Sequence, residues 1–200
     1  MIQPLVLAAG LGTRMGASKP LLPIDGHPAL NVVLRTIERA GLRLPVVVLG
    51  HDVDRIQELI NLSECQVVVN ENPELGLSSS MRLGLDAINE DAEGILVFHV
   101  DMPFLALSTI RSLLQAVADG ATLAAPFHEG TRGFPVYLSR MFITPLCAVL
   151  EGDRGAQRFL VDHDDDLTPI IVSDPGCVFD IDLPADLQAW KGESLCAINE

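Results

Sequence analysis

The chain has 200 residues, 48% of them apolar, with a formal net charge of −14 at pH 7. That length buries a sizeable core without disulfide or metal staples, and the acidity argues against nucleic acid, whose phosphates demand basic faces. Cys65, Cys147, Cys177 and Cys196 form no CxxC pair, so metal-type spacing is missing and a reducing cytoplasm is their simplest home. The apolar start, residues 1–9, lacks the basic opening and the length of a secretory signal. No apolar run approaches the roughly 20 residues that span a bilayer.

The first short apolar run, Gln3–Ala9, reads as a strand. A helical period over Ala29–Ala40 follows, with Gly41 as its stop. Strand candidates then alternate with helix candidates: Leu44–Leu49, Asp54–Leu62, Cys65–Val69, Ser79–Asn89, Ile95–Val100, Leu107–Ala118 and Ala121–Ala125. Further strands are expected near Phe134–Leu138, Thr168–Val172 and Cys177–Phe179, and a helix over Ala156–Asp162. The strands are rich in Val, Ile and Leu and mostly non-alternating, as in strands buried on both faces. The pattern predicts an α/β fold with a mostly parallel, twisted sheet, a single domain over 1–191 and a loose tail over 192–200. In such sheets ligands bind beyond the carboxyl ends of the strands.

Between the first strand and first helix runs "LVLAAGLGTRMGASKPLLP". Gly10, Gly12 and Gly16 miss the dinucleotide fingerprint by one residue, and no G-K-[ST] follows to make a P-loop. Glycines let backbone N–H groups approach an anion closely. Arg14 adds a planar fork and Lys19 a compact charge, with no carboxylate before Asp25. Charge is distributed to match: residues 1–60 carry six Lys/Arg against five Asp/Glu, the remainder seven against 22. A small basic island in an acidic chain fits a local phosphate site. The same loop also reads as a glycine-rich connector with two solvated cations.

Two acidic stretches stand out. In "FHVDMPF" Asp101 ends an apolar strand, where a carboxylate can hold Mg2+ beside a triphosphate or cap a turn. In "VFDIDLPADL" Asp180 and Asp182 alternate on an expected strand and share a face, and Asp186 in the next helix reads as a structural cap. The acidic run Asp164–Asp166 reads as a solvated turn.

Taken in order, "LAAGLGTRMGASK", "DMP" and "DIDLPADL" resemble the nucleotidyltransferases that move NMP from an NTP to a phosphorylated acceptor. "NPELGLSSSMRLGL" and "GDRGAQRFL" narrow the resemblance to the molybdenum cofactor cytidylyltransferases and close relatives, over about residues 5–190. It implies a three-layer, Rossmann-like nucleotidyltransferase fold and transfer of CMP from CTP to the phosphate of molybdopterin, with release of pyrophosphate. It implies that Gly10, Gly12 and Gly16 wrap the triphosphate, that Arg14 holds the β- and γ-phosphates, and that Lys19 neutralises charge at the α-phosphorus. Ala8 and Ala9 would make the first backbone contacts to the nucleotide. Asp101 and Asp182 would be the Mg2+ ligands. Ser79 and Ser80 would lie near the base or acceptor, with Arg82 nearby; by themselves the serines read as an ordinary helix cap.

"LAAG" and "PLLP" resemble the cytidylyl branch, whereas guanylyl members usually carry glycine in place of Ala9. Two residues depart from the family. Phe134 stands in "RGFPVYL" where His or Asn is common, which permits an apolar acceptor wall. His99 is also unusual and reads as a buried histidine on the face of Asp101. The alternatives are guanylyl transfer, transfer to another small phosphorylated acceptor, a non-catalytic nucleotide- or cofactor-binding chaperone serving a recipient molybdenum oxidoreductase, and a Rossmann-type oxidoreductase.

Overall fold

In the computed structural model, the described residues are 1–10, 12, 17–152 and 155–190. Arg14, Gly16 and the tail over 192–200 lie outside them. Strand β1 (Ile2–Ala8) is buried from Gln3 onward, because it pairs in parallel on both sides, with β4 (Val46–Leu49) and β6 (Gly94–His99). β4 continues in parallel to β5 (Gln66–Val69). On the other flank β9 (Val136–Ser139) runs antiparallel between β6 and β7 (Leu123–His128). β7 pairs in parallel with β10 (Leu167–Ile171) and antiparallel with β8 (Thr131–Arg132). Among the described residues eight strands join this sheet, in the order β10-β7-β9-β6-β1-β4-β5 with β8 beside β7. The expected mostly parallel α/β sheet is present.

Successive strand residues point to opposite faces, and both faces are covered. Leu5, Leu7, Val46, Val48, Ile95 and Val97 pack toward α3 (Leu77–Asp86), α5 (Ile143–Val149) and α6 (Gln157–Asp162). Val6, Ala8, Val47, Leu49, Leu96 and Phe98 pack toward α1 (Ala29–Arg39), α2 (Val53–Leu59) and α4 (Leu107–Ala118). The result is three layers. Among the described residues no helix is long and apolar enough to cross a membrane.

A smaller third core contains Leu22, Ile24, Phe104 and Ile181, with Phe179, Leu187 and Trp190 packed against it. It joins the segment after the glycine loop to the last described residues through a two-stranded hairpin, β2 (Pro23–Ile24) and β3 (His27–Pro28), and through α7 (Pro184–Ala189). Phe104 and Trp190 stack with ring centroids 4.2 Å apart.

The strand expected at Cys177–Phe179 does not form. Asp174 accepts a hydrogen bond from Gly176 N at 2.9 Å, and Pro175 has no N–H to give a ladder. The chain therefore makes a 3-10 turn over Pro175–Cys177. Asp180 and Asp182 sit in irregular chain beyond it, so a shared strand face does not explain them. Asp101 likewise lies past its strand: β6 ends at His99, and Met102 N donates to His99 O at 3.3 Å as the chain turns.

Candidate active site

Three segments converge beyond the carboxyl end of β6. Lys19 opens a 3-10 turn over Lys19–Leu21, anchored as Leu22 enters the third core and Ala29 N donates to Leu22 O at 2.8 Å. Ile181 N donates to Asp101 O at 2.8 Å, which draws the last segment alongside the β6 turn. Asp186 then accepts from Asp182 N at 2.8 Å and Leu183 N at 2.6 Å. This is the structural cap expected of Asp186, and it also fixes the backbone of Asp182.

The outcome is one ammonium between two carboxylates. Lys19 Nζ donates to Asp101 Oδ2 at 2.8 Å and to Asp182 Oδ1 at 2.6 Å. The side chains are 13%, 20% and 41% exposed for Lys19, Asp101 and Asp182, so water screens the cluster incompletely. Burial by itself pulls the Lys19 pKa down. The charge of Asp101 and the hydrogen bonds to both aspartates outweigh it and hold the amine above its ordinary 10.5. The group stays cationic at any physiological pH.

A divalent metal belongs to the chemistry such a site implies, and the donor set accommodates it. Mg2+ is commonly held by one or two carboxylates together with substrate phosphates, and Asp101 and Asp182 already meet on a single cation. Among the described residues no group of three or more acidic, His or Cys side chains is placed to hold a metal ion.

Next to this cluster a cleft of about 230 Å³ opens at the carboxyl ends of β1 and β4, lined by Ala8, Ala9, Gly10, Ser18, Gly50, His51 and Asp52. That is below the roughly 300–1,000 Å³ of a whole-ligand pocket, room for part of a nucleotide. Glycine is required at Gly50 in its lining and at Gly12 in the preceding loop. Gly12 has φ +57° and a Cβ there would collide with the Ala17 carbonyl; a Cβ on Gly50 would come 2.9 Å from Ala9 O. Ala8, Ala9 and Gly10 line this cleft with Ser18, the residue before Lys19, and Gly12 lies against the backbone of Ala17 and Lys19. His51 and Asp52 were visible in sequence only as residues following a strand.

Ser79 and Ser80 are not displayed freely at the start of α3. Asn70, buried just past β5, donates through Nδ2 to both hydroxyls at 2.9 Å. Ser79 Oγ donates on to Gly76 O at 2.8 Å. Asn70 Oδ1 accepts from Asn72 N at 3.0 Å, so one amide organises the whole β5–α3 loop. In sequence Asn70 is visible only as the first residue of the post-strand segment Asn70–Ser80; its hold on the two serines is not. Ser78 Oγ is buried without a hydrogen-bond partner among the described residues. Arg82 is exposed and donates to Leu150 O at 3.1 Å. It ties α3 to the residue that follows α5.

The two family departures touch each other. The rings of His99 and Phe134 meet edge to face with centroids 4.3 Å apart, and His99 Nε2 is buried with no hydrogen-bond partner among the described residues. Burial first, and Lys19's charge, push its pKa below the ordinary 6.5 against the opposing charges of Asp101 and Asp180. The imidazole is therefore neutral near pH 7. Asp164–Asp166 is an exposed 3-10 turn, as expected.

Known proteins resemble this chain in sequence and fold. The chain is 31% identical over 163 residues to nicotine blue oxidoreductase of Paenarthrobacter nicotinovorans, covering 78% of this chain and 79% of that one. It is 32% identical over 176 residues to the bifunctional protein GlmU of Mycolicibacterium paratuberculosis, covering 84% of this chain but only 32% of GlmU. The chain thus spans about a third of that relative. The manganese complex of Rv0371c from Mycobacterium tuberculosis superposes with a TM-score of 0.80 at 26% identity, covering 94% of this chain and 96% of that one. The model of the MobA-like NTP transferase domain matches residues 4–167, and the chain belongs to that family of nucleotidyltransferases.

Proposed function

We propose that the protein transfers CMP from CTP to the phosphate of a molybdopterin-type acceptor. An acceptor phosphate oxygen attacks the α-phosphorus of CTP, a new P–O bond forms, and the bond from the α-phosphorus to the bridging oxygen breaks. Pyrophosphate leaves with that electron pair. The attacking phosphate is ionised near neutral pH, so no strong general base is needed, and positioning and charge neutralisation supply the catalysis.

The observation that carries this reading is the meeting of Lys19, Asp101 and Asp182, three residues distant in sequence, beside the glycine loop. In this reading Lys19 moves to the α-phosphate and Arg14 holds the β- and γ-phosphates. The backbone from Ala8 to Gly12 admits the nucleotide closely, and Ser79 and Ser80, held by Asn70, bound the base or acceptor side. Asp101 and Asp182 would hold Mg2+, which when bound neutralises phosphate charge. Phe134 lends the acceptor side an apolar wall. The cytidylyl assignment rests on "LAAG" and "PLLP", and guanylyl transfer is its nearest competitor.

Pyrophosphate release from CTP plus molybdopterin in Mg2+ tests the reaction. A thermal-shift panel of CTP, GTP, ATP and UTP tests the base, since preferential binding appears as preferential stabilisation. A larger shift with GTP transfers the proposal to guanylyl chemistry. A second reading, redox chemistry, is favoured by the name of the Paenarthrobacter relative. Absence of pyrophosphate release with every nucleotide would turn the assignment toward it.

A further inference from the structure

The ammonium of Lys19 sits on the same oxygens that a divalent ion would use. Asp101 Oδ2 and Asp182 Oδ1 both accept from the one Nζ. A cation entering that pair meets a resident positive charge at hydrogen-bond distance from its ligands. The repulsion is strong, because Lys19 and Asp101 are largely buried and screening weakens with burial. We propose that Lys19 is an internal counter-cation that must leave the carboxylate pair before a metal ion can enter, so that metal is taken up with nucleotide rather than ahead of it.

The segment is built for such an exchange. The backbone at Lys19 is fixed by its 3-10 turn and by buried Pro20, while the four-carbon stem lets the ammonium move without the chain. Anionic phosphates arriving at the neighbouring cleft give the ammonium an alternative partner of equal charge preference. Once it moves, the two carboxylates lose the positive charge that Lys19 had placed on Oδ2 of Asp101 and Oδ1 of Asp182, and their affinity for a divalent cation rises. Nucleotide and metal are thereby coupled, each raising the affinity for the other. Lysine serves this role better than a permanently bound metal would, because the pair keeps a resident counter-charge whenever nucleotide is absent. The inference rests on the reading of Asp101 and Asp182 as metal ligands, though not on the identity of base or acceptor.

The test is Mn2+ binding to nucleotide-free protein, followed by the EPR signal of free Mn2+. Lys19→Met should bind Mn2+ at least about ten-fold more tightly than wild type, the scale of one charge-assisted hydrogen bond. Lys19→Arg retains the positive charge and should bind as weakly as wild type. Adding Asp101→Asn to Lys19→Met should abolish the gain. Lys19→Gln, neutral but polar, repeats the measurement should Lys19→Met fold poorly, and Mn2+ should raise its melting temperature more than that of wild type. The proposal is overturned if neither neutral variant binds Mn2+ more tightly than wild type, if Lys19→Arg gains as much as they do, or if the gain survives Asp101→Asn. No nucleotide or acceptor enters this titration. Its failure would leave CMP transfer standing, and absence of pyrophosphate release would leave the Mn2+ result standing.

Discussion

Lys19 is shared by two aspartates that differ in how far water reaches them, and substitutions should reveal the difference. Asp101 is the more buried of the two, so exchanging its charge for an amide leaves Lys19 less compensated in a poorly screened place. Asp101→Asn should therefore lower the melting temperature more than Asp182→Asn, while both should reduce turnover by orders of magnitude. Differential scanning calorimetry paired with steady-state rates checks this; equal melting temperatures would show that burial does not grade the two ion pairs. Lys19 itself is assigned to charge that grows at the α-phosphorus during reaction. Lys19→Ala should reduce kcat strongly and change apparent CTP affinity less. A variant with unchanged kcat and raised KM for CTP would instead make Lys19 a simple ground-state contact.

At the scale of elements, Asp182 depends on a helix cap. Asp186 gathers the N–H groups of Asp182 and Leu183 at the start of α7. Asp186→Ala should cost about 0.5–2 kcal/mol of stability, the range for a lost N-terminal cap, and should also weaken Mn2+ binding in a Lys19→Met background. A urea midpoint and the same EPR titration measure the two effects, and a stability loss with unaltered Mn2+ affinity would mean that Asp182 is positioned by other contacts. This coupling shows what was legible in the sequence. Val-Val-Val-Leu in β4 and Gly-Ile-Leu-Val-Phe-His in β6 announce buried strands because both faces demand apolar side chains. Asp186 announces a cap because that bond is local. Cys177–Phe179 misled because its apolar residues serve a core contact, while Asp174 and Pro175 decide the backbone. The hairpin at Pro23–Pro28 had a usable signal in Asp25-Gly26, both at positive φ, the turn that Asp-Gly favours. Helix α5 was hidden by Pro145, a residue tolerated in the first turn of a helix. Lys19, Asp101 and Asp182 could be nominated one by one from their loops. The bridge among them, the Asn70 clamp on two serines and the His99–Phe134 contact are set by tertiary packing that no local pattern encodes.

At the scale of the whole molecule, burial and neighbouring carboxylates hold two thiols protonated. Burial first, and then the charge of Asp174, push the fully buried Cys177 thiol up to about 12 from an ordinary 9.0. Burial and Glu64 likewise raise Cys65 to about 11. A thiol with a raised pKa keeps its proton in the folded state after the unfolded chain has lost it. Above pH 9 the folded state then binds more protons than the unfolded one, and stability must fall as pH rises. Below pH 9 both states are protonated and these groups contribute no slope. Lys19 acts in the same direction at higher pH, because its raised pKa makes its stabilisation complete below the ordinary lysine value and lost on deprotonation. Urea unfolding should therefore give a nearly constant free energy from pH 7 to pH 9 as far as these groups are concerned, and a declining one beyond. Replacing Cys177 by Ala removes one titrating group and should reduce the slope between pH 9 and pH 12 by up to about 1.4 kcal/mol per pH unit, the value of one proton. The variant will start from a lower stability, since a buried side chain is shortened, so the comparison is of slopes and not of absolute values. An unaltered slope would mean that Cys177 ionises in the folded protein as readily as in the unfolded chain, and that the packing around it admits water.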